Sequence, residues 1–314
     1  MIYFCTYFDE NYLSRFLALN KSLSSFNFSY TFYILALDKK VLEFFRKNKF
    51  KEIVIINHVD LENEFKELVE AKKNRSKIEY YFTLTPFLPK YIFKKFNISK
   101  ISYLDTDFYF FKNPYKKIMD NSNFSSVLVR QKSSIKYGKF NVGWIYINFN
   151  FSETRKIIDK WSIQCVEFCT DIPKKGFYAD QKYLDNWPEE LKFLKIEKPE
   201  AYYLSPWNKN STIENTFSKN LAFHFHALEI SKDFFSTGFS RYNKKATSKI
   251  IERIYLPYLT DILLIEKKYN LEHKSIRNYS DKNLKGIIIF LRKFKFIFQK
   301  KIYRDKYFYK KLVP

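Results

Sequence analysis

Glycine is scarce in this chain, with five in 314 residues and the first at Gly138. A Gly-rich phosphate loop after the first strand therefore has no residues to build it, which argues against a sugar nucleotidyltransferase. Cysteine is scarce too: three residues, an odd count without paired spacing, give no disulfide framework. Cys165 and Cys169 stand four apart on an expected helix, but two thiols do not make a zinc site, and packing is the reading for both. No apolar run approaches the roughly 20 residues that span a bilayer. The longest late candidate, Ile287 to Leu291, meets Arg292 and Lys293 at once. The opening Met-Ile-Tyr-Phe-Cys-Thr lacks the basic region, apolar core and cleavage site of a signal peptide, so a cytoplasmic location is expected. Acidic residues are outnumbered, 33 against 56 Lys and Arg, leaving a net charge of +23. That excess suits an anionic partner such as headgroups, nucleic acid or a phosphate-bearing substrate; a compositional bias toward Lys, Asn, Ile, Phe and Tyr accounts for it equally well.

What is abundant is apolar surface. Hydrophobic residues make 46% of the chain and aromatics 20%, which excludes disorder and gives a sizeable core. The N-terminal half alternates strand and helix patterns: strand Ile2 to Thr6, helix Asn11 to Ser25, strand Phe32 to Leu37, helix Val41 to Asn48, strand Ile53 to Asn57. Asp60 is the expected cap of the next helix. Thr83 to Phe96 reads as one helix with Pro86 and Pro89 in its first turns or kinking it. Lys100 to Leu104 is an apolar strand. Ser152 is expected to cap a helix from Glu153 to Cys169, and Thr247 to Tyr269 reads as a helix containing Pro257. This β-α alternation predicts an α/β fold, a mostly parallel central sheet flanked by helices. Residues 1–230 form the expected catalytic domain and 231–314 a basic, helical C-terminal extension. The last 30 residues hold ten Lys or Arg against one acid, Asp305. Aromatics interleave with these bases, so the tail suits an anionic membrane surface, or a helix packed on the domain with lysines outward.

The segment Tyr103-Leu-Asp105-Thr-Asp107 places two carboxylates two apart, directly after an apolar strand. Extended backbone points both side chains the same way, and a slight turn lets them converge on one hard cation, Mn²⁺ or Mg²⁺, that a diphosphate can share. Ligands of such sheets collect beyond the carboxyl ends of the strands, where this triplet falls. An isolated Asp-x-Asp is commonly a solvated turn; the preceding strand and the Asn113-Pro114 stop make this one more specific.

Together with Phe140-Asn-Val-Gly-Trp-Ile-Tyr-Ile-Asn148, Tyr178-Ala-Asp-Gln-Lys-Tyr-Leu-Asp-Asn-Trp187, Phe223-His-Phe-His226 and Pro206-Trp-Asn208, the triplet makes the chain resemble the GT-A glycosyltransferases. The likeness is to the glycogenin-like and lipopolysaccharide galactosyltransferase-like branch, over roughly residues 1 to 230. It implies a GT-A fold and transfer of a hexose from a nucleotide sugar, by default a uridine diphosphate sugar, to a glycan or lipid-linked saccharide with retained configuration. It implies Asp105, Asp107 and His224 as metal ligands, with His226 the alternative to His224. Asp105 also approaches the donor, Asp180 holds sugar hydroxyls, and Gln181 lies near the reacting carbon. Asn141 and Gly143 are candidates to meet the sugar; a tight turn is their other reading. Thr6, Tyr7 and Tyr12 lie where the base is held, and Arg75 and Lys77 are candidates to reach phosphate. The branch follows its His with a Gly and a Lys that grips the diphosphate. Here Ala227, Leu228 and Glu229 stand instead, with Lys232 as a candidate substitute. The rival is a basic, aromatic-rich nucleic-acid-binding protein, but no recognition helix or zinc knuckle stands out, and no nucleic-acid partner is expected.

Overall fold

The computed structural model describes residues 1–131, 134–231, 234–271 and 306–308. Its first half alternates as the apolar periodicity demands: β1 (Ile2–Phe8), α1 (Leu13–Ser24), β2 (Tyr30–Ala36), α2 (Lys39–Lys47), β3 (Ile53–Asn57), α3 (His58–Glu64), α4 (Glu67–Lys73), α5 (Lys77–Leu84), α6 (Phe87–Phe96) and β4 (Lys100–Leu104). After the acidic triplet come β5 (Phe108–Phe110), α7 (Tyr115–Met119), β6 (Ser126–Arg130), β7 (Phe140–Asn148), α8 (Ser152–Glu167), β8 (Leu194–Glu197), β9 (Tyr203–Leu204) and β10 (Ala222–His224).

Seven strands form the central sheet in the order β3-β2-β1-β4-β7-β6-β8. The expected mostly parallel α/β sheet is present: β3, β2, β1 and β4 run together, and β8 runs with β6. β7 is reversed against both β4 and β6. All nine residues of β7 are buried because it crosses the middle of the sheet with helices on both faces. Alternation along the strands feeds two cores. Phe4, Phe8, Trp144 and Tyr146 face one with α1, while Cys5, Tyr103, Ile145 and Ile147 face another with α6 and α8. A small second sheet, β5-β10-β9, stands at the carboxyl end of β4.

Several sequence expectations shift on physical grounds. Asn57, not Asp60, caps α3, its Oδ1 accepting from the Val59 amide at 3.2 Å; Asp60 falls in the first turn, where its charge suits the helix N-terminus. The single helix expected over Thr83 to Phe96 is two, α5 and α6, because Pro86 has no amide for the Phe82 carbonyl four residues back, and Thr85 takes that acceptor at 3.3 Å. Ser152 is itself helical and makes no cap hydrogen bond, and α8 stops at Glu167, leaving Cys165 on it and Cys169 beyond it as buried free thiols. Thr247 caps the late helix, which passes through a π turn at Ile251–Tyr255 before Leu256–Tyr269. That turn lets the chain admit Pro257, which offers no amide to the ladder.

The Leu256–Tyr269 helix shares its core with α1 through Tyr258, Leu259 and Ile262, and Asp261 joins Lys21 at 2.7 Å and the Tyr109 hydroxyl at 2.8 Å. The stretch read as the start of a separate extension is, as far as Leu271, part of the same packed unit. At Lys306–Phe308 the expected helix is instead a strand, antiparallel to Phe234–Ser236. The other tail residues proposed to meet a membrane lie outside the described residues. Among the described residues no helix is long and apolar enough to cross a membrane.

Arg75 precedes α5 and serves this architecture. Its guanidinium donates to the carbonyls of Cys165 (3.1 Å), Val166 (2.5 Å) and Cys169 (3.0 Å), satisfying the open C-terminal end of α8. Arg75→Ala should therefore destabilise the fold by about 2–3 kcal/mol in denaturant titration, with donor affinity at low temperature unchanged.

Candidate active site

β4 ends at Leu104, and the chain turns through Asp105, Thr106 and Asp107 into β5. Two backbone bonds pin this turn: the Asp105 amide donates to the Gly143 carbonyl of β7 at 2.9 Å, and the Phe225 amide donates to the Asp107 carbonyl at 2.8 Å. β10 lies antiparallel to β5 with His224 opposite Phe108, so the imidazole arrives over the turn. Its Nε2 stands 3.1 Å from Asp107 Oδ1 and 3.6 Å from Asp105 Oδ2. Ligand atoms of the three residues all lie within 4.8 Å of one another. Phe108 stacks on the imidazole at 4.5 Å and Trp207 meets it edge-on at 5.4 Å, so its plane is fixed from two sides. His226 lies outside this cluster but beside its imidazole, edge-on at 5.8 Å, and against Trp207 at 5.4 Å and Tyr242 at 6.3 Å, and burial, then the charge of His224, push its pKa down to about 4.

Charge in this turn is unbalanced. Burial pushes the Asp105 carboxyl up, and the Asp107 charge adds to that, against the pull of His224 and a hydrogen bond from the Tyr103 hydroxyl at 2.9 Å. Asp107 goes the other way: burial raises it, but His224 and Arg15 outweigh that and hold it ionised. For His224, burial favours the neutral ring, while Asp107 and Asp105 override it and raise the pKa. The imidazole proton thus stands where a cation is wanted. Two carboxylates and one imidazole nitrogen fit a divalent ion such as Mn²⁺ or Mg²⁺, and the buried His224 Nδ1 has no hydrogen-bond partner among the described residues, leaving it to carry the proton when Nε2 ligates.

Gly143 makes room for this ring. A Cβ there would stand 2.9 Å from His224 Cε1 and Nδ1 and 2.6 Å from Asn141 Oδ1. Asn141 is fully engaged: its Oδ1 accepts from the Gly143 amide and the Tyr203 hydroxyl, both at 2.9 Å, and its Nδ2 donates to Gln181 Oε1 at 3.3 Å. Gln181 in turn donates Nε2 to the Tyr137 carbonyl at 2.5 Å. Asp180 is buried, its carbonyl held by Trp161 Nε1 of α8 at 2.8 Å, and burial, with the charge of Asp105, pushes its carboxyl up to about 7 against a hydrogen bond with Thr85. Asp105, Asp107, His224, Gly143, Asn141, Asp180 and Gln181 therefore form one connected cluster.

The base-end candidates are less uniform. Tyr7 is half-buried beside Tyr81 and Tyr103, its hydroxyl sharing a hydrogen bond with Thr85 Oγ1 at 2.9 Å. Tyr12 lies under the Arg15 guanidinium at 5.0 Å. Thr6 is fully buried in β1 and its hydroxyl has no partner among the described residues. Lys77 is paired with Asp9 at 2.7 Å, and Arg75 caps α8; neither presents a free cation to a phosphate. Lys232 lies outside the described residues. Sequence reasoning missed Tyr103, which steers Asp105, and Asp9, which also accepts from Tyr81 at 3.2 Å. The only available signal was their position at the ends of β4 and β1.

No family model matches the sequence. The chain is 25% identical over 281 residues to the uncharacterised protein YfnD of Bacillus subtilis (strain 168), covering 83% of this chain and 88% of that protein. It is 28% identical over 201 residues to YfnF of the same organism, also uncharacterised, covering 59% of this chain and 65% of YfnF. Among solved structures it resembles the galactosyltransferase LgtC in complex with donor and acceptor sugar analogues, with a TM-score of 0.52, 16% identity, and coverage of 72% of this chain and 87% of that one. The fold is that of the GT-A glycosyltransferases. Within this GT-A frame the acidic turn sits at the carboxyl end of β4, between the central sheet and the β5-β10-β9 sheet.

Gly143→Ala should push His224 off Asp107 and weaken Mn²⁺ binding in calorimetry at least tenfold, with about 1–3 kcal/mol of overpacking cost in denaturant titration. Asp180 yields a pH test. A free aspartate titrates near 3.9 and this one near 7, so its contribution is fully favourable below about pH 4 and is lost as pH rises through 7. In metal-free protein, Asp180→Asn should melt with wild type at pH 4 and be more stable at pH 8, by up to about 3–4 kcal/mol.

Proposed function

We propose that the chain is a metal-dependent glycosyltransferase, moving a hexose from a nucleoside diphosphate sugar to a glycan or lipid-linked saccharide. The observation that carries this reading is the convergence of Asp105, Asp107 and His224 at the carboxyl end of β4 in a GT-A frame. Mn²⁺ or Mg²⁺ held by these three would offset the charge that builds on a departing diphosphate. A uridine diphosphate sugar is the default donor by resemblance, and LgtC, a galactosyltransferase seen with donor and acceptor analogues, supports saccharide substrates at both ends. Tyr7 and Tyr12 supply ring faces for the base. Asp180, with its affinity for a proton near neutrality, hydrogen-bonds sugar hydroxyls. Gln181, held by the Tyr137 carbonyl and Asn141, is assigned by the resemblance to the neighbourhood of the reacting carbon. In the retaining reading the leaving diphosphate itself takes the acceptor proton. The enzyme is proposed to work in the cytoplasm, reaching a lipid-linked acceptor through the basic segment after Asp281.

One observation favours a second reading of the stereochemistry. A carboxyl titrating near 7 beside the acidic turn has the proton affinity of a general base, which an inverting transfer would need at Asp180. Asp185 does not suit that role, because its oxygens already accept from the Lys139 amide and Lys182 Nζ, both at 2.6 Å. The anomeric configuration of the product by NMR decides between the two, an inverted product removing the retaining mechanism.

The activity is tested by a donor screen. Uridine diphosphate with Mn²⁺ should raise the melting temperature, and nucleotide sugars should be hydrolysed in the presence of Mn²⁺; Asp107→Ala should abolish both. Salt-dependent oligonucleotide binding with no response to any nucleotide would instead favour the nucleic-acid rival.

A further inference from the structure

Arg15 lies in the first turn of α1 on the face that buries Phe16 and Leu19, and only 2% of it is exposed. A guanidinium taken out of water needs compensation, and buried cations are ordinarily paired. Among the described residues its one hydrogen bond runs from Nη2 to the Leu228 carbonyl at 2.8 Å, and its plane lies over the Tyr12 ring at 5.0 Å. The position of this buried charge is specific. Leu228 closes the turn after His224, its amide donating to the Phe225 carbonyl at 3.0 Å, while the Phe225 amide holds Asp107. Arg15 is thereby tied to the turn that follows the imidazole and bonds the acidic turn.

Charge arithmetic says what is missing. A divalent ion on Asp105 and Asp107 balances the two carboxylates and leaves nothing over for the two negative charges of a nucleoside diphosphate sugar. Arg75 and Lys77, the cations nearest in sequence to such a role, are engaged with helix carbonyls and Asp9. Arg15 has donors to spare, in a planar fork that matches phosphate oxygens.

We infer that Arg15 binds the diphosphate of the donor, the anion bridging from the acidic turn to the guanidinium. This rests on the glycosyltransferase reading and names the residue that replaces a lysine after His224. The site then holds its diphosphate between α1 and β10, two elements that meet only in the folded chain.

Calorimetry with Mn²⁺ alone, then with inorganic pyrophosphate and with uridine diphosphate at saturating Mn²⁺, tests it. Arg15→Met should weaken both diphosphates tenfold or more beyond whatever change it makes to Mn²⁺ affinity, the loss expected for a hydrogen bond between charged groups. Arg15→Lys keeps the charge and most of the stem and covers the case in which the methionine variant does not fold. It should weaken the diphosphates at least threefold, because an ammonium replaces the fork. Diphosphate affinity within threefold of wild type in either folded variant overturns the inference. Failure of wild type to bind Mn²⁺ and either diphosphate overturns the glycosyltransferase reading itself, a different result from the first.

Discussion

Two carboxylates on one turn, Asp107 nearly covered and Asp105 about a third exposed, repel each other, and this repulsion organises the centre of the molecule. Left alone, Asp105 and Asp107 would relax by swinging apart or taking up a proton. The backbone forbids the first: one end of the turn is bonded to Gly143 of β7 and the other to Phe225 beyond β10. The second is half-realised, since Asp105 is driven up while Asp107 stays ionised against His224. A site so held is electrostatically unfinished, and a divalent cation is the simplest group that completes it.

The holding is done by main chain, which explains the small second sheet. β5, β9 and β10 are short, yet their register fixes where His224 stands relative to Asp107. The aromatic rings around them do the rest. Phe108 and Trp207 leave the imidazole one plane, and Gly143 leaves it one place. Precision here comes from packing on both sides of a ring, which a hydrogen bond at Nδ1 would ordinarily supply.

The legibility of all this in the sequence followed the range of the interactions. The strands and the acidic turn were readable because period and Asp-x-Asp spacing are local; β3 and β4 end where their apolar runs end. His224 needed the resemblance, since nothing near it in sequence announces a partner more than a hundred residues away. Arg75 and Lys77 show the reverse case. Their residue type suits phosphate, but their partners, the end of α8 and Asp9, are set by tertiary packing that no local pattern encodes. Arg15 was passed over for the opposite reason. It sits among Leu13, Phe16 and Leu17, and an arginine on an apolar helix face reads as a snorkelling side chain until the fold shows it covered. A missing amide can be absorbed either by a break, as at Pro86, which splits the expected Thr83 to Phe96 helix, or by a π turn, as at Pro257, where the expected helix runs on to Tyr269, and the choice depends on what packs alongside.

The same logic bears on Gln181. Its amide is oriented at both ends, with Oε1 taken by Asn141 and Nε2 by the Tyr137 carbonyl. The Tyr137 segment is in turn fastened to the helix that begins at Gln181: Lys182 Nζ reaches the Ile135 carbonyl at 3.0 Å, Asp185 receives the Lys139 amide, and Tyr137 packs on Tyr178 at 4.9 Å. The loop before β7 and the helix after Asp180 therefore form one clasp, with Asn141 joining it to the Gly143 that seats His224. A substitution anywhere in that chain of bonds moves both the amide and the imidazole. The Gln181 amide and the His224 imidazole are thus mechanically linked, and residues that read as independent candidates in the sequence meet on a single piece of β7.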